Sequence, residues 1–222
     1  MSKTTNQNKE IKIRSAILSD GQLFAKLVFQ SYPRFVQNGI GLGKEERAKN
    51  IILKLFPKPK HRFSKDHTIV AEIQGKKAGI AVLIPGKKLA RANNSFGFKL
   101  LPMYRVKGKL FLIQRFSPFV FIKEADKREL LISNISVLPR YQGQGVGKAL
   151  VKAAEKQAKA EGCTSVTVLV GIQNTHARHF FENLGYKVSS VVLESNKRVK
   201  LFGPGYQRMV KEFKPKKGKS NK

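Results

Sequence analysis

The chain has 222 residues, enough for one domain with a sizeable core, and its hydrophobic content of 41% is ordinary for a globular protein. Its charge is unusual, because 44 Lys and Arg against 14 Asp and Glu give a formal net charge of +30 at pH 7. Such a field attracts polyanions and repels small polycations, although a general lysine bias of the surface would produce the same composition. The charge therefore bears on partners and not on the fold.

The sequence carries no sign of membrane insertion or of disulfide bonding. No apolar stretch reaches ~18 residues without charge, and the polar N-terminus lacks the apolar region of a signal peptide. We therefore expect a cytoplasmic protein without a transmembrane segment. The single cysteine, Cys163, cannot form an internal disulfide, and we expect a small core residue there rather than a nucleophile. Residues 1–10 and the lysine-rich residues 214–222 are predicted to be disordered.

The first part of the chain predicts the element order β-α-α-β-β. Apolar and charged residues alternate over 11–14, as in a strand with one buried face. Asp20 is placed to cap a first helix, and a second helix is expected over 43–55 because its apolar residues recur at helical spacing. Two apolar runs, 67–73 and 77–84, are joined by a short turn that contains glycine and predict a β-hairpin.

Residues 85–128 separate this hairpin from the next predicted strand and are rich in basic, aromatic and aliphatic side chains. The apolar ones are Phe96, Phe98, Leu100, Leu101, Tyr104, Leu110, Phe111, Ile113, Phe116, Phe119 and Phe121. They cannot all be exposed without a risk of aggregation, so we expect short helices packed against the body of the domain. Such a segment forms the wall or lid of a binding site, or it only adds packing, and the sequence leaves both interpretations open.

The chain is organised around a strand, a glycine-rich turn and a helix. Residues 130–137 form a mostly apolar run, which predicts a buried strand. Three glycines follow at alternate positions, at Gly143, Gly145 and Gly147, and an amphipathic helix then runs to Gly162. The N–H groups at a helix start lack intrahelical partners, and the missing side chains let a phosphate approach them. The spacing therefore predicts a pyrophosphate site.

Two other phosphate-binding loops do not fit this stretch. A P-loop needs a glycine at position 142 and Ser or Thr at position 149, where the chain has Gln142 and Ala149. A dinucleotide-binding fingerprint needs a glycine in place of Lys148 and an acidic residue about twenty positions further on, where Thr167 and Val168 stand. A plain glycine-rich turn between two packed elements is the remaining alternative.

The rest of the chain predicts a strand, a helix and two further strands. The strand covers 164–170, and Asn174 begins a helix that Gly185 ends. The last two strands are expected over 186–193 and 206–213, separated by a Gly-Pro-Gly turn.

Two motifs in order resemble the signatures of the GCN5-related N-acetyltransferase (GNAT) superfamily. The motif Q-x-x-G-x-G that begins at Gln142 looks like the acetyl-CoA loop of that superfamily, and residues 174–186 are similar to its second signature, a helix that ends in Leu-Gly-aromatic. The resemblance implies an α/β fold with a central, twisted, mixed sheet of about seven strands flanked by helices. That domain would cover residues 11–213, with 85–128 inserted between its third and fourth strands.

The resemblance also implies a function and a set of binding residues. Members of the superfamily use acetyl-CoA as co-substrate, so we expect an N-acetyltransferase that moves the acetyl group to a primary amine by direct attack and needs no metal. The cofactor-binding residues implied by the match are Ile135, Val137, Gln142, Gly143, Gln144, Gly145, Val146, Gly147, Lys148 and Asn174. Two histidines at helical spacing, His176 and His179, are interpreted as surface residues rather than metal ligands.

The sequence does not identify the acid and the base of the reaction. Where relatives often carry a carboxylate on the fourth strand and a tyrosine on the last helix, this chain has Ser133 and Phe181. Glu129 or a water chain is the candidate base, and the candidate tyrosines near the thiol are Tyr104, Tyr186 and Tyr206. A catalytically inactive member of the superfamily is also consistent with these departures, although direct attack depends largely on positioning.

The net charge leads to an expectation for the acceptor and to an alternative function. Because polycations are repelled, an amine on an acidic protein, a nucleoprotein or an anionic metabolite is favoured over a polyamine. Glu124, Asp126 and Glu129 are the carboxylates that would reverse this preference if they formed a local acidic pocket. The alternative function is a basic nucleic-acid- or ribosome-binding protein that keeps the fold without the chemistry.

Overall fold

The computed structural model describes residues 10–116 and 123–213 of the chain. Most of the two predicted tails lies outside these ranges, as do Phe119 and Phe121. Within them the chain forms one mixed sheet with helices packed on both faces, as the resemblance implied. No helix in this part of the chain is long and apolar enough to cross a membrane.

The described residues form a seven-stranded sheet. Its strands are β1 (Ile11–Ser15), β2 (Thr68–Ile73), β3 (Lys76–Pro85), β4 (Glu129–Val137), β5 (Ser165–Gly171), β6 (Lys187–Leu193) and β7 (Gly205–Glu212). They lie in the order β1-β2-β3-β4-β5-β7-β6. The pairing of β4 with β5 is parallel, and every other pairing between neighbours is antiparallel. Strand β4 therefore lies at the centre of the sheet.

Helices connect these strands and cover both faces of the sheet. The longer ones are α1 (Gly21–Ser31), α2 (Glu45–Leu55), α3 (Gly86–Leu100), α4 (Val106–Phe116), α5 (Val146–Ala160), α6 (Thr175–Glu182) and α7 (Asn196–Phe202). Single turns of helix occur at Leu18–Asp20, Pro33–Phe35, Val36–Ile40, Lys65–His67, Leu101–Met103 and Pro139–Tyr141. All elements that the sequence predicted are present, with bounds that differ by a few residues.

The core has two layers, one on each face of the sheet. Ile80 and Val82 of β3 belong to the layer that holds the apolar faces of α1, α2 and α3. Ala81 and Leu83, which alternate with them, belong to the layer that holds α5 and Phe181 of α6. Successive side chains of a strand point to opposite faces, so the continuous apolar run of β3 serves both layers.

Helix α7 was not predicted. The sequence indicated only a turn between the last two strands, but Asn196–Phe202 form a helix before Gly203 reverses the chain with φ of 92°. The ring centroid of Phe202 lies 5.9 Å from that of Phe35, and the Asn38 side chain donates a hydrogen bond to the Leu201 carbonyl at 2.8 Å. Helix α7 is therefore held against the turns that follow α1.

The described residues 86–116 of the segment 85–128 form helices α3 and α4 and the single turn between them, as expected, but they do not cover all of their apolar side chains. Four residues of α3 are buried, namely Leu89, Ala92, Phe96 and Leu100. On the other hand, Phe98 is 79% exposed and Leu110 of α4 is 63% exposed. Phe111 and Ile113 are also exposed. The apolar side chains of this segment are therefore not all exposed, as expected, since Tyr104 and Leu112 are buried in addition to one face of α3.

Asp20 occupies the N-cap position of α1 but makes no capping hydrogen bond, contrary to the prediction. Its carboxylate is fully buried and accepts hydrogen bonds from the Arg14 guanidinium at 2.7 and 3.1 Å. The Ile17 N–H donates to it at 2.8 Å, and the Lys77 ammonium lies 2.6 Å away. The carboxylate therefore ties β1 to β3, because Arg14 and Lys77 belong to those strands.

We expect Asp20→Asn to destabilise the protein at neutral pH. Burial alone would raise the pKa of Asp20, but the hydrogen bonds from Arg14, Ile17 and Lys77 hold it well below its usual range. A carboxyl group with a lowered pKa in the folded state stabilises the protein above its unfolded-state pKa of ~4, and this contribution is lost as the pH falls towards the folded value. Urea unfolding should therefore give Asp20→Asn a deficit of ~3 kcal/mol at pH 7, and the deficit should shrink in acid. An equal deficit at pH 7 and pH 3 would contradict this assignment.

Candidate active site

The central strands β4 and β5 separate partway along their length. They pair through Glu129–Ile132 and Ser165–Val168. Beyond Ile132, β4 continues to Val137 but pairs only with β3 among the described strands. Backbone groups on the free edge of β4 therefore face a gap, where a ligand can reach them. The carbonyls of Ile135 and Val137 already accept side-chain hydrogen bonds, from Ser31 at 3.5 Å and from Gln142 at 3.2 Å.

A β-bulge lies where the strands separate. Asn134 pairs with Val82 and Ile132 pairs with Leu83, so Ser133 is an extra residue in β4. Bulges are frequent next to active sites because they redirect a side chain and bend the strand. The Ser133 hydroxyl accepts a hydrogen bond from the Arg62 guanidinium at 3.0 Å.

The glycine-rich loop lies just beyond the end of β4 and has the backbone geometry of an anion site. Gly143 and Gly145 have φ values of 72° and 83°, a region that favours glycine. Gly145 is the N-cap of α5, and its carbonyl accepts the first intrahelical hydrogen bond, from the Ala149 N–H at 2.9 Å. The N–H groups of residues 145–148 therefore have no partner inside the helix, and the helix dipole adds positive charge there.

The other loop residues support this geometry instead of adding charge. The Gln142 side chain donates to the Val137 carbonyl at 3.2 Å, and the Gln144 side chain donates to the Arg140 carbonyl at 2.8 Å. Val146 is buried in the second layer of the core, so only its backbone faces the loop. The predicted binding residues therefore include side chains that brace the loop, whereas Lys148 is exposed and extends from the first turn of α5.

A side chain at position 147 would meet the ring of a residue on α6. A Cβ atom at Gly147 would lie 3.2 Å from the Phe180 ring. The absence of that atom lets α6 approach the first turn of α5 closely. Gly147 therefore has a packing role in addition to its place in the loop.

The remaining predicted binding residues lie on the two sides of the gap. Ile135 and Val137 are on β4, and their partly buried side chains pack against the second layer of the core. Asn174 follows β5, caps α6 by accepting the Ala177 N–H at 3.0 Å, and donates its own N–H to the Gly171 carbonyl at 2.8 Å. The structure therefore brings the free edge of β4, the glycine-rich loop and Asn174 to the same end of the sheet.

A cavity of about 700 Å³ adjoins the point where the strands separate. Residues 131–134 of β4 and Leu169 and Gly171 of β5 line it from the sheet. Helices α1, α3, α4 and α7, the start of β7, the turns after α1 and the loop that holds Arg62 and Phe63 also contribute to its walls. Helices α3 and α4 belong to the segment 85–128, so part of that segment lies at the candidate site. This agrees with the interpretation of the segment as the wall of a binding site.

An ion pair forms part of the wall of this cavity. Arg62 donates to both carboxylate oxygens of Glu124, at 2.7 and 3.1 Å, and the two side chains are 22% and 13% exposed. Burial lowers the pKa of Arg62, but the charge and hydrogen bonds of Glu124 outweigh this effect and raise it. The guanidinium therefore links Glu124 to Ser133 at the bulge of β4.

Two tyrosines also line the cavity. The Tyr32 hydroxyl donates to the Leu169 carbonyl at 2.7 Å, and burial together with the charge of Glu124 raises its pKa to about 12. The Tyr206 hydroxyl is buried and has no hydrogen-bond partner among the described residues. Burial and the charges of Glu124 and Glu194 raise the pKa of Tyr206. Both phenols therefore stay protonated at neutral pH and do not act as bases. Tyr32 already donates its hydrogen to Leu169, so Tyr206 is the one of these two tyrosines that can still donate.

Three of the four side-chain candidates for acid or base lie elsewhere. Glu129 is at the opposite end of β4 from the loop and is bound by the Arg208 guanidinium and the Asp126 N–H. Tyr104 donates to the Ile40 carbonyl, and Tyr186 is buried in the second layer of the core. Tyr206 is the candidate that lines the cavity. Of the three carboxylates that could build an acidic pocket, Glu124 lines this cavity and is paired with Arg62. Asp126 and Glu129 do not line it, and both lie near the Arg208 guanidinium.

The remaining residues considered in the sequence analysis lie in the core or at the surface. Cys163 is partly buried against the second core layer, and burial raises its pKa. His176 and His179 are exposed, and Nδ1 of His179 lies 3.2 Å from the Glu182 carboxylate. Phe181 is buried with its ring centroid 5.2 Å from that of Tyr186. No group of three or more His, Cys, Asp or Glu residues that could hold a metal occurs in the described ranges.

Sequence comparison assigns the chain to a family. The profile of the acetyltransferase (GNAT) family matches residues 44–186, which is more than half of the chain. The protein therefore belongs to the GNAT acetyltransferase family. It is 35% identical over 94 residues to an uncharacterised N-acetyltransferase of Methanocaldococcus jannaschii, a match that covers 42% of this chain and 37% of that relative. The chain thus matches well under half the length of this relative.

Solved structures share the fold over nearly the whole chain. An N-acetyltransferase from Staphylococcus aureus Mu50 has a TM-score of 0.68 at 18% identity, covering 90% of this chain and 100% of that one. The PaiA N-acetyltransferase from Thermoplasma acidophilum, solved in complex with coenzyme A, has a TM-score of 0.51 at 15% identity, covering 92% and 99%. At these identities the likeness concerns the fold, and it confirms the fold class that the two sequence motifs implied.

Proposed function

We propose that this protein is an N-acetyltransferase that transfers the acetyl group of acetyl-CoA to a primary amine. The observation that carries the proposal is the position of the glycine-rich loop beside a gap between β4 and β5 that leads to a cavity. Family membership and a fold neighbour solved with coenzyme A support it. In this arrangement one long ligand can place a pyrophosphate on the loop and its other end at the cavity.

The N–H groups of residues 145–148 would hold the pyrophosphate, because they lack partners inside the helix and lie at the positive end of its dipole. The free edge of β4 from Ile135 to Val137 would hydrogen-bond the pantetheine arm, and Asn174 would lie on the other side of that arm. The thioester would then reach the bulge at Ser133. Acetyl-CoA serves here as a co-substrate that supplies an activated acetyl group.

The reaction proposed is direct attack without a covalent enzyme intermediate. The neutral amine nitrogen forms a bond to the acetyl carbonyl carbon, the carbon–sulfur bond breaks, and the nitrogen loses one proton while the departing thiolate gains one. The site contributes mainly by holding the two reactants in contact. The phenol of Tyr206 is protonated at neutral pH and free to donate, whereas Tyr32 already donates to the Leu169 carbonyl and Glu124 is paired with Arg62.

Isothermal titration with acetyl-CoA and with CoA tests this proposal. We expect saturable binding of both at micromolar to millimolar concentrations. If the folded protein binds neither, the proposal fails. If it instead binds RNA with a steep salt dependence and transfers no acetyl group, the alternative that the net charge suggests, a basic nucleic-acid- or ribosome-binding protein, replaces it.

We expect Cys163→Ala to leave acetyl transfer unchanged. Cys163 does not line the cavity, and its raised pKa keeps the thiol protonated at neutral pH. Thiol release from acetyl-CoA in the presence of an amine gives the rate of transfer, and mass spectrometry of the intact protein reveals any acetylated species. An acetyl group on Cys163 that disappears when the amine is added would contradict the direct route.

A further inference from the structure

The cavity beside the gap indicates which amines the site accepts, an inference that rests on the proposed function. Its volume of about 700 Å³ lies within the range of ~300–1,000 Å³ that is usual for small-ligand sites. Ile132 and Ser133 of β4 and Leu169 of β5 line it at the point where the strands part. An acceptor bound there would lie next to an acetyl group held in the gap.

The walls of this cavity are mainly aromatic and aliphatic. They include Phe35, Phe63, Phe98, Leu112, Ile113 and Phe202, which come from several separate elements. A strongly hydrated chain with several charges would lose water against these walls without gaining partners. A flat ring or a branched aliphatic group would instead bury apolar surface.

The charged side chains that line the cavity are already paired. Arg62 forms its two hydrogen bonds with Glu124, and Glu194 lies 2.9 Å from Arg198. The described lining residues thus present no unpaired charge, although the whole chain has a formal charge of +30. The electrostatic field of the whole protein affects how a substrate approaches, but the cavity itself does not select for a multiply charged group.

Two buried polar atoms in the lining have no partner among the described residues. They are the hydroxyl of Tyr206 and Oδ1 of Asn93. Buried polar atoms are seldom left unpaired, so a group that satisfies them is expected. Both oxygens can accept a hydrogen bond from an amine N–H, and the Tyr206 hydroxyl can also donate one.

We propose that the acceptor is a small amine with a single charge and an aromatic or branched aliphatic body, of which an arylalkylamine is the simplest example. Its body would lie against the apolar walls, and its nitrogen would reach Tyr206 and Asn93. This class of acceptor differs from an amine on an acidic protein or an anionic metabolite, which the net charge alone favours. The lining of the cavity, and not the net charge, determines which substrate fits. A single positive charge is also repelled less than a polyamine by the field of the whole protein.

Titration of three amines tests the proposal. The probes are 2-phenylethylamine, spermidine and an acidic peptide with a free N-terminal amine. Binding of each is measured by calorimetric titration with and without CoA. Acetyl transfer to each is measured by thiol release from acetyl-CoA. We expect saturable binding and efficient acetylation for 2-phenylethylamine, and neither for the other two. A preference for spermidine or for the peptide would overturn the proposal.

Two substitutions on α3 provide a matched pair. A Cβ atom at Gly97 would meet nothing within 4 Å, and Gly97 lines the cavity, so Gly97→Phe should fill it without a clash. Ala90 is exposed on the same helix and does not line the cavity, so Ala90→Phe is the control. We expect Gly97→Phe to weaken 2-phenylethylamine binding by about tenfold or more. The control should change it little, and the affinity for CoA should be unchanged in both.

Removal of one hydroxyl tests the polar part of the proposal. Because the Tyr206 hydroxyl has no partner among the described residues, Tyr206→Phe should fold normally. We expect it to weaken amine binding by about three- to tenfold. Equal effects of Gly97→Phe and Ala90→Phe, or an unchanged affinity in Tyr206→Phe, would overturn the proposal. If the protein does not bind CoA, the proposed function fails. Titration of the amines without CoA still shows whether the cavity binds 2-phenylethylamine, so it tests this inference separately.

Discussion

Replacing Gly145 with valine is expected to abolish useful binding of acetyl-CoA while the protein stays folded. Gly145 has φ of 83°, and its N–H is among the unpaired donors at the start of α5. A branched side chain there would occupy the space of the phosphate and twist the donors away from it. We expect affinity to fall by about a hundredfold, the equivalent of about two hydrogen bonds to a charged group. Calorimetric titration of the variant measures this loss.

Gly162 provides the control for backbone strain. It follows the other end of α5, has φ of 72°, and a Cβ atom there would meet nothing within 4 Å. Gly162→Val should therefore lose a similar ~1–2 kcal/mol of stability through its left-handed conformation, yet bind acetyl-CoA like the wild type. Equal losses of affinity in Gly145→Val and Gly162→Val would show that strain and not the phosphate site is responsible.

Glu124→Leu is expected to destabilise the protein strongly. It would leave the Arg62 guanidinium in the cavity wall without the carboxylate that accepts two of its hydrogen bonds. Loss of one partner from such a buried pair costs ~3 kcal/mol or more. Urea unfolding at neutral pH measures the change.

The double variant Arg62→Leu with Glu124→Leu distinguishes an unpaired charge from a packing defect. We expect it to recover most of the stability, because it leaves no buried charge. A second control is Glu182→Leu, which breaks the exposed pair with Arg178 and should change stability little. If the double variant is as unstable as Glu124→Leu, the pair does not contribute in the way the geometry indicates.

The parts of the site that depend on local spacing were predictable from sequence. The glycines of residues 143–147 and the amphipathic helix after them lie within a few turns of one another, so their geometry follows from backbone rules. Asn174 was likewise placed correctly at the start of α6, where its side chain caps the Ala177 N–H. Each of these features involves neighbours in the chain.

The cavity was not predictable because distant residues form it. Arg62 and Glu124 are separated by 62 positions, and Arg62 stands in a basic loop where nothing distinguishes it from its neighbours. Tyr32 was missed for the same reason. The extra residue at Ser133 depends on the pairing of β4 with β3, which a single strand does not reveal.

Glu129 was a misleading candidate because it is close in sequence to the core strand. Its side chain lies at the end of β4 where that strand still pairs with β5, and the gap opens only beyond Ile132. Helix α7 was missed because a short, basic stretch beside a Gly-Pro-Gly turn carries little helical pattern. The position of Glu129 depends on the tertiary structure, whereas helix α7 was missed because its local pattern is weak.

Amide hydrogen exchange with and without saturating acetyl-CoA shows whether the ligand occupies the glycine-rich loop and the gap, because it locates the ligand on the backbone. We expect slower exchange for the N–H groups of the loop and the start of α5, residues 143–148, and for the free edge of β4 over 133–137. Exchange at Gly162 and in β6, away from the gap, should not change. Full occupancy by acetyl-CoA with no slowing in the loop, or with slowing only outside the gap, would contradict the account.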